Sequence, residues 1–237
     1  MNPVSICLPY YLNAGMLAQQ YDVISKYPKG VRKSIELIIV DDGSPRDPAV
    51  DVPRPKDLPP LRIFRMLEDI RWNQDACRNL AVAQAALPWV LLTDIDHLIP
   101  EATIQRAVFG FLDPYLIYKF GRVSAPGLEP YKPHPNSWLM TKRMYSQIGG
   151  YDERFAGYYG TDAMFRDAAQ RIAPIKMSKS VLIRVPREVI PDASTTTYGR
   201  KEPQDGENIR RIKGEISGLP PKQRRPVTGR FAWEQVL

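Results

Sequence analysis

Two pairs of aspartates follow short apolar runs in this sequence, and their types and spacing suit the binding of a cation or a phosphate. Asp41 and Asp42 end the run IELIIVDD, and Asp94 and Asp96 end the run WVLLTDID. Residues i and i+2 of an extended segment point to the same side, about 6 to 7 Å apart at roughly 3.3 Å rise per residue. Asp94 and Asp96 can therefore share one ion or flank one ligand.

Two neighbouring carboxylates repel each other unless a cation lies between them. Mg²⁺ or Mn²⁺ suits this position, because such a hard cation takes one or two protein carboxylates and completes its shell with water and substrate phosphates. The acids therefore predict a clamp in which a divalent cation holds a diphosphate. The alternative is a plain turn, because Asp favours turns at the ends of strands.

These acids belong to an alternating series of strands and helices. Short apolar segments bounded by Pro, Gly or Asp predict strands at 4–9, 35–41, 61–66 and 89–94. Helices are expected over 13–27 and 72–86. Such alternation predicts an α/β fold with a mostly parallel sheet and covering helices. Because ligands bind outside the carboxyl ends of the strands in such a sheet, both acid pairs are expected to face one crevice.

The composition indicates one ordinary globular domain of 237 residues, with 43% hydrophobic and 25% charged residues. Cys7 and Cys77 are the only cysteines, which argues against a zinc site and a disulfide framework and favours a reducing cytoplasm. No apolar run approaches the roughly 20 residues that span a bilayer, and the first residues lack the basic region of a signal peptide. The net charge of +7 favours a polyanionic partner without identifying it.

Two segments depart from the alternating pattern. Residues 43–60 contain six prolines and are expected to form an exposed excursion. Residues 200–230 hold nine Lys or Arg against four Asp or Glu, which predicts a basic tail. That tail either packs on the domain or holds the protein at an anionic membrane surface, and the final FAWEQVL either adds an apolar anchor or docks back onto the domain.

Five segments occur between Val4 and Ile172 in an order and at separations that are specific in combination: LPYYLN, VDDGSP, ACRNLA, LLTDIDHLIP and GGYDERFAGYYGTDAMFRDAA. In this combination the sequence resembles the nucleotide-sugar glycosyltransferases of the GT-A fold, particularly the inverting family 2. The resemblance implies a Rossmann-like α/β/α sandwich with a mixed, mostly parallel sheet over residues 1–190. It leaves residues 191–237 as a basic C-terminal extension.

The resemblance also implies a binding site for the nucleotide of a donor, most simply a UDP-sugar. Pro9 and Tyr11 are expected to line the base pocket, and Asp42 matches the acid that hydrogen-bonds the uracil ring. Arg78 matches the arginine that the family has near the nucleotide.

The metal site is implied in the same way. Asp94 is expected beside the ribose and the metal, and Asp96 as the direct ligand of Mn²⁺ or Mg²⁺. Some relatives add a histidine ligand beyond the catalytic base, whereas His97 and His134 both precede Asp162 in this chain. The resemblance therefore leaves the cation to be held largely by phosphate and water.

Asp162 falls where the family has its catalytic carboxylate. A carboxylate within hydrogen-bond reach of an acceptor hydroxyl can take its proton during attack, which is worth roughly 10²- to 10⁴-fold in rate, and a single displacement inverts the anomeric centre. The structural alternative for Asp162 is a cap or first-turn acid of the helix that follows.

Other functions remain open from the residues alone. The D-x-D also occurs in haloacid-dehalogenase-type phosphatases, and the positive charge is compatible with a basic nucleic-acid-binding module. The phosphatase motif normally lies on the first strand, and no nucleic-acid-binding signature is present, so no nucleic acid is expected as a partner. The expected acceptor is a saccharide or a lipid-linked molecule, and the expected location is cytoplasmic, with peripheral contact to an anionic membrane.

Overall fold

The computed structural model describes residues 1–194 and 204–237, and its centre is a ten-stranded sheet. The strands are β1 (Val4–Tyr10), β2 (Ile35–Asp41), β3 (Leu61–Met66), β4 (Trp89–Leu92), β5 (His97–Leu98), β6 (Ile117–Ser124), β7 (Glu129–Tyr131), β8 (Trp138–Thr141), β9 (Ile175–Arg184) and β10 (Trp233–Gln235). Their spatial order is β10-β3-β2-β1-β4-β8-β6-β9-β5, and β7 pairs with β6.

Helices cover both faces of this sheet. Within the described residues they are α1 (Ala14–Ser25), α2 (Lys29–Arg32), α3 (Gln74–Gln84), α4 (Glu101–Phe109), α5 (Lys142–Ile148), α6 (Asp162–Ile172) and α7 (Gln204–Gly218). No helix of this part of the chain combines the length and the apolarity needed to cross a membrane.

The centre of the sheet consists of four neighbouring parallel strands, β3, β2, β1 and β4. Every residue of β1 and β2 is buried, as is typical of parallel strands covered on both faces. Alternate side chains enter two cores: Ile6 packs with Leu17 of α1, whereas Cys7 packs with Cys77 of α3. Helices α1 and α4 contribute to the first core, and α3, α5 and α6 to the second, which confirms the predicted α/β/α arrangement.

The remaining strands make the sheet mixed. β8 lies antiparallel to both β4 and β6, and β6 runs parallel to β9. This arrangement inserts β8, which comes late in the chain, directly beside β4. The loop before β8 therefore lies next to the turn that follows β4.

The predicted elements agree closely with the observed ones. β2 and β3 have the predicted bounds, and α1 and α3 lie within the predicted helices. β4 ends at Leu92, two residues before the predicted end, so Asp94 and Asp96 lie in the loop and turn between β4 and β5. In the proline-rich excursion the structure has a single 3₁₀ turn, Ala49–Asp51, and otherwise irregular backbone.

The described part of the basic tail packs on the domain. Ile212 of α7 is buried, and α7 contacts the 3₁₀ turn Glu153–Phe155. The final residues return to the sheet, where β10 pairs antiparallel with β3 and Trp233 contacts Phe64 edge-on at 5.6 Å between ring centroids. The beginning of the predicted tail, residues 200–203, lies outside the described residues.

Candidate active site

A cavity of about 280 Å³ opens at the carboxyl ends of β1, β2 and β4. Six of the seven residues predicted for the site line it: Pro9, Tyr11, Asp42, Asp94, Asp96 and Asp162. The seventh, Arg78, lies behind the cavity wall and contacts Asp94. The fold therefore brings together residues that are up to 153 positions apart in the sequence, from Pro9 to Asp162.

Asp94 is held by a cation on one side and a histidine on the other. Arg78 Nη2 donates to Asp94 Oδ1 at 2.6 Å, and His134 Nε2 lies 3.3 Å from Asp94 Oδ2. Burial opposes the charged carboxylate, but Arg78 and His134 outweigh it and hold the pKa of Asp94 far below its usual range. Asp94 is therefore ionised and fixed in orientation at neutral pH.

Arg78 lies behind Asp94 and holds its carboxylate in place. Its side chain is only 1% exposed, and it also donates to Asp75 Oδ1 at 3.1 Å and to Gln74 Oε1 at 2.9 Å. Its guanidinium lies 5.1 Å from the centre of the Tyr151 ring. Arg78 therefore acts on the cavity through Asp94 and does not line the cavity itself.

Asp96 is oriented by a second histidine, His97. Asp96 Oδ1 lies 2.6 Å from His97 Nδ1, and the other ring nitrogen, Nε2, lies 3.0 Å from Arg122 Nη1. His97 is fully buried in β5. One oxygen of Asp96, Oδ2, has no protein partner within the described residues and is available to a ligand.

The two acids at the end of β2, Asp41 and Asp42, have different roles. Asp41 turns away from the cavity and accepts from the backbone amides of Ser44 and Ala49 at 2.8 and 2.9 Å. The expectation that both acids of this pair face the crevice is wrong, because successive side chains at a strand end point to opposite sides. Gly43 has a φ of +72°, and a Cβ there would lie 2.8 Å from the Glu68 carbonyl oxygen, so the turn requires glycine.

Asp42 faces the cavity with a half-satisfied carboxylate. Its Oδ2 accepts from the Asn73 amide at 3.2 Å, whereas Oδ1 is buried without a partner among the described residues. Burial raises the pKa of Asp42 well above its ordinary value, although hydrogen bonds from Cys77 and Asn73 oppose that shift. A buried acceptor without a partner costs free energy, and a ligand N–H would remove that cost.

Asp162 is the first residue of α6, and its carboxylate lies at the cavity wall. Asn136 Nδ2 donates to Asp162 Oδ1 at 2.6 Å, and Asn136 in turn accepts from the Tyr151 hydroxyl at 3.2 Å. The cap position is Thr161, so Asp162 is a first-turn acid and not the cap. The helix N-terminus stabilises its negative charge.

The short loop before β8 contacts both Asp94 and Asp162. His134 contacts Asp94 through Nε2, and its Nδ1 forms a hydrogen bond with Ser137 Oγ at 3.1 Å. Asn136 contacts Asp162. Neither residue was predicted for the site as a ligand or a support. The only available signal was the polar run HPNS before the apolar segment WLM, which predicts a loop but not its neighbours.

The side chains that could bind a metal ion suit a hard cation only in part. Within residues 1–194 and 204–237, no group of three or more His, Cys, Asp and Glu residues is placed to hold a metal ion. Asp94 and Asp96 do provide carboxylates in one cavity. These suit Mg²⁺ or Mn²⁺, which bind through one or two protein carboxylates together with substrate phosphates.

Comparison with known families identifies the chain. The model of "Glycosyl transferase family 2" matches residues 5–172, and a search of curated protein sequences gives no match. Among solved structures, residues 1–349 of S. aureus TarS in complex with UDP-GlcNAc give a TM-score of 0.69 at 16% identity, covering 94% of this chain and 69% of that chain.

Two further solved structures resemble the chain. The mannosyltransferase PcManGT from Pyrobaculum calidifontis, in complex with GDP-Man and Mn²⁺, gives a TM-score of 0.57 at 17% identity, covering 94% of this chain and 67% of that chain. GalNAc-T7 with UDP, GalNAc and Mn²⁺ gives a TM-score of 0.60 at 11% identity, covering 78% of this chain and 44% of that chain. At these identities the structures show a shared fold. Because the family model spans most of the sequence, the chain belongs to glycosyl transferase family 2 and is a glycosyltransferase of the GT-A fold.

Proposed function

We propose that this enzyme transfers a sugar from a UDP-sugar to a hydroxyl group, with inversion at the anomeric carbon and with Mn²⁺ or Mg²⁺ on the donor diphosphate. The observation that carries the proposal is the convergence in one cavity of Asp42, the acid pair Asp94 and Asp96, and Asp162. The family assignment argues against the phosphatase and the nucleic-acid-binding alternatives.

The base of the donor binds between Pro9, Tyr11 and Asp42. The buried Asp42 Oδ1 supports this assignment, because it has no partner in the described part of the chain and suits the imide N–H of uracil. TarS, which shares the fold, has been solved with UDP and with UDP-GlcNAc.

Asp96 and Asp94 would hold the divalent cation, because both line the cavity and Asp96 Oδ2 has no protein partner within the described residues. PcManGT and GalNAc-T7 were both solved with Mn²⁺, which supports the use of a divalent cation in this fold. When bound, the cation would neutralise charge on the departing diphosphate, an effect worth several kcal/mol. His97 and Arg78 position the two carboxylates.

Asp162 acts as the general base. The acceptor oxygen forms a bond to the anomeric carbon as the bond from that carbon to the diphosphate oxygen breaks, and Asp162 takes the hydroxyl proton. Attack from the face opposite the leaving group inverts the configuration. Asn136 holds one oxygen of Asp162 at 2.6 Å, which leaves the other oxygen for the acceptor.

The test measures UDP binding by calorimetry and sugar transfer by product formation. Donor affinity in Mn²⁺ should fall at least tenfold in EDTA, and Asp96→Asn should remove that difference together with activity. Asp162→Asn should leave donor affinity near the wild-type value and lower turnover by two or more orders of magnitude, because a base acts in the transition state.

Asp167→Asn is the matched control, because Asp167 lies on the same helix and pairs with Arg166 at an exposed position outside the cavity. It should behave as the wild type. Equal donor affinity in Mn²⁺ and EDTA would contradict the metal assignment. A loss of donor binding in Asp162→Asn would make Asp162 a binding residue.

A further inference from the structure

Three basic residues, Arg122, Lys132 and Arg184, line one side of the cavity, and we refer to them as the cationic wall. None of them forms an ion pair with a carboxylate of residues 1–194 or 204–237. The positive charges of Arg122 and Arg184 repel each other. A bound anion would remove that repulsion.

The cationic wall is held in place by strand pairing and by an aromatic ring. Arg122 lies opposite Tyr131 in the pairing of β6 with β7, and Arg184 ends the neighbouring strand β9. The Cζ atoms of Arg122 and Arg184 lie 4.5 and 5.3 Å from the centre of the Tyr131 ring. Cation–π contact with one ring therefore keeps two guanidinium groups close together.

Arg122 is the anchored member of the wall. It is only 8% exposed, and its Nε donates to the Lys132 carbonyl oxygen at 2.7 Å. Burial lowers the pKa of Arg122 and the charge of Arg184 acts in the same direction, whereas Asp96, Tyr131 and Asp94 oppose the shift. The fold therefore fixes a largely buried guanidinium at the cavity lining, where an anionic ligand would stabilise its charge.

The position of the wall in the sheet separates it from the base pocket. Asp42 follows β2, the acid pair follows β4, and the wall is built on β6, β7 and β9. β6 lies two strands beyond β4, which at a spacing of about 4.8 Å is roughly 10 Å. The base pocket and the wall therefore lie on opposite sides of the acid pair.

We propose that the cationic wall binds a phosphate group of the acceptor, so that the enzyme glycosylates a hydroxyl of a phosphorylated or phosphodiester-linked molecule. This inference rests on the proposed function, because a donor bound between Asp42 and Asp96 leaves the far side of the cavity for the acceptor. The same residues could hold the donor diphosphate instead, and the experiment separates these two sources.

The experiment measures the binding of inorganic phosphate and of glycerol 3-phosphate by calorimetry, first to the free enzyme and then to enzyme saturated with UDP and Mn²⁺. Both probes should bind in the presence of UDP. The double variant Lys132→Gln/Arg184→Gln should weaken the binding of both probes at least tenfold and change the affinity for UDP less than twofold. Arg122 is left in place because it contacts His97 beside Asp96.

The control is Lys176→Gln/Lys179→Gln, which removes the same charge from exposed positions of β9 outside the cavity. It should bind both probes as the wild type does. The single variant Lys132→Gln, which changes only an exposed side chain, should fold normally and weaken probe binding about threefold or more.

Three results would overturn the proposal. The first is displacement of the probes by UDP together with a matching loss of UDP affinity in the double variant, which would assign the wall to the donor diphosphate. The second is equal weakening in the control variant. The third is the absence of saturable probe binding to the wild type at millimolar concentration. Failure of the enzyme to bind UDP would contradict the proposed function and not the phosphate site. The two results are distinguishable because the probes are also measured without UDP.

Discussion

Replacing Arg78 with methionine leaves two carboxylates, the buried Asp75 and the partly buried Asp94, without their shared cation. Methionine retains much of the volume of the side chain but none of its three hydrogen bonds to Gln74, Asp75 and Asp94. Because Arg78 is 1% exposed, water cannot readily replace those bonds. The change therefore tests whether the acid pair depends on the residue beneath it.

The expected loss of free energy of unfolding follows from the two carboxylates that Arg78 contacts. Asp75 is easily neutralised, because burial raises its pKa to about 6 even with Arg78 present. Asp94 is the main unpaired charge, and breaking a buried ion pair costs about 3 to 5 kcal/mol. At roughly 2 to 4 °C per kcal/mol for a chain of this size, the melting temperature should fall by about 6 to 20 °C at pH 8. The loss should be smaller at pH 5 than at pH 8, because without Arg78 burial favours the neutral, protonated form of Asp94.

Urea unfolding at pH 8 and pH 5, followed by tryptophan fluorescence, measures the free energy of unfolding. Arg166→Met is the control, because Arg166 pairs with Asp167 at positions about half exposed, where an ion pair contributes about 1 kcal/mol or less. A loss of less than about 1 kcal/mol in Arg78→Met, independent of pH, would refute the reasoning.

Two further predictions concern pH and membranes. Burial, opposed by Arg78 and reinforced by Asp162, raises the pKa of Asp75 from 3.8 to about 6, so the folded state binds more protons than the unfolded state between these values. This carboxyl should therefore lower the free energy of unfolding by about 2 kcal/mol as the pH rises from 4 to 8, and Asp75→Asn should remove that component from urea titrations; identical pH profiles would contradict this. The exposed cations of residues 210–225 should draw the enzyme to anionic vesicles at low salt and release it at high salt, because each charge near an anionic surface gains about 1 kcal/mol. Co-sedimentation with anionic and neutral vesicles measures this effect, and indifference to anionic vesicles at low salt would make the basic segment purely structural.

The parts of the fold that the sequence predicts are those specified by local pattern. β2 and β3 have the expected bounds because Asp42 and Gly43 follow the first apolar run and Pro59 and Pro60 precede the second. Asp42 after β2 reaches the same cavity as Asp94 and Asp96 after β4, because parallel strands end at the same edge of the sheet. These features depend on residues that are neighbours in the chain.

The supporting residues of the site depend on long-range pairing and are not visible in local patterns. His134 reaches Asp94 because β8 pairs antiparallel with β4, about fifty residues earlier in the chain. Arg122 and Arg184 meet at Tyr131 only because β6 pairs with both β7 and β9. Arg78 was expected near the nucleotide, and its burial beneath Asp94 follows from the packing of α3 against the sheet.

The return of the chain through β10 also bears on how the enzyme behaves in concentrated solution. β3 would otherwise be an open border of the sheet, with the unpaired amides and carbonyls that invite strands of other molecules to add. Residues 232–237 occupy those groups, including bonds from Leu67 N to the Ala232 carbonyl oxygen and from Val236 N to the Ile63 carbonyl oxygen. The new border is three residues long and carries Glu234, and a short, charged border strand is a poor template for intermolecular sheet growth. The last six residues thus protect the enzyme from self-association through its own sheet.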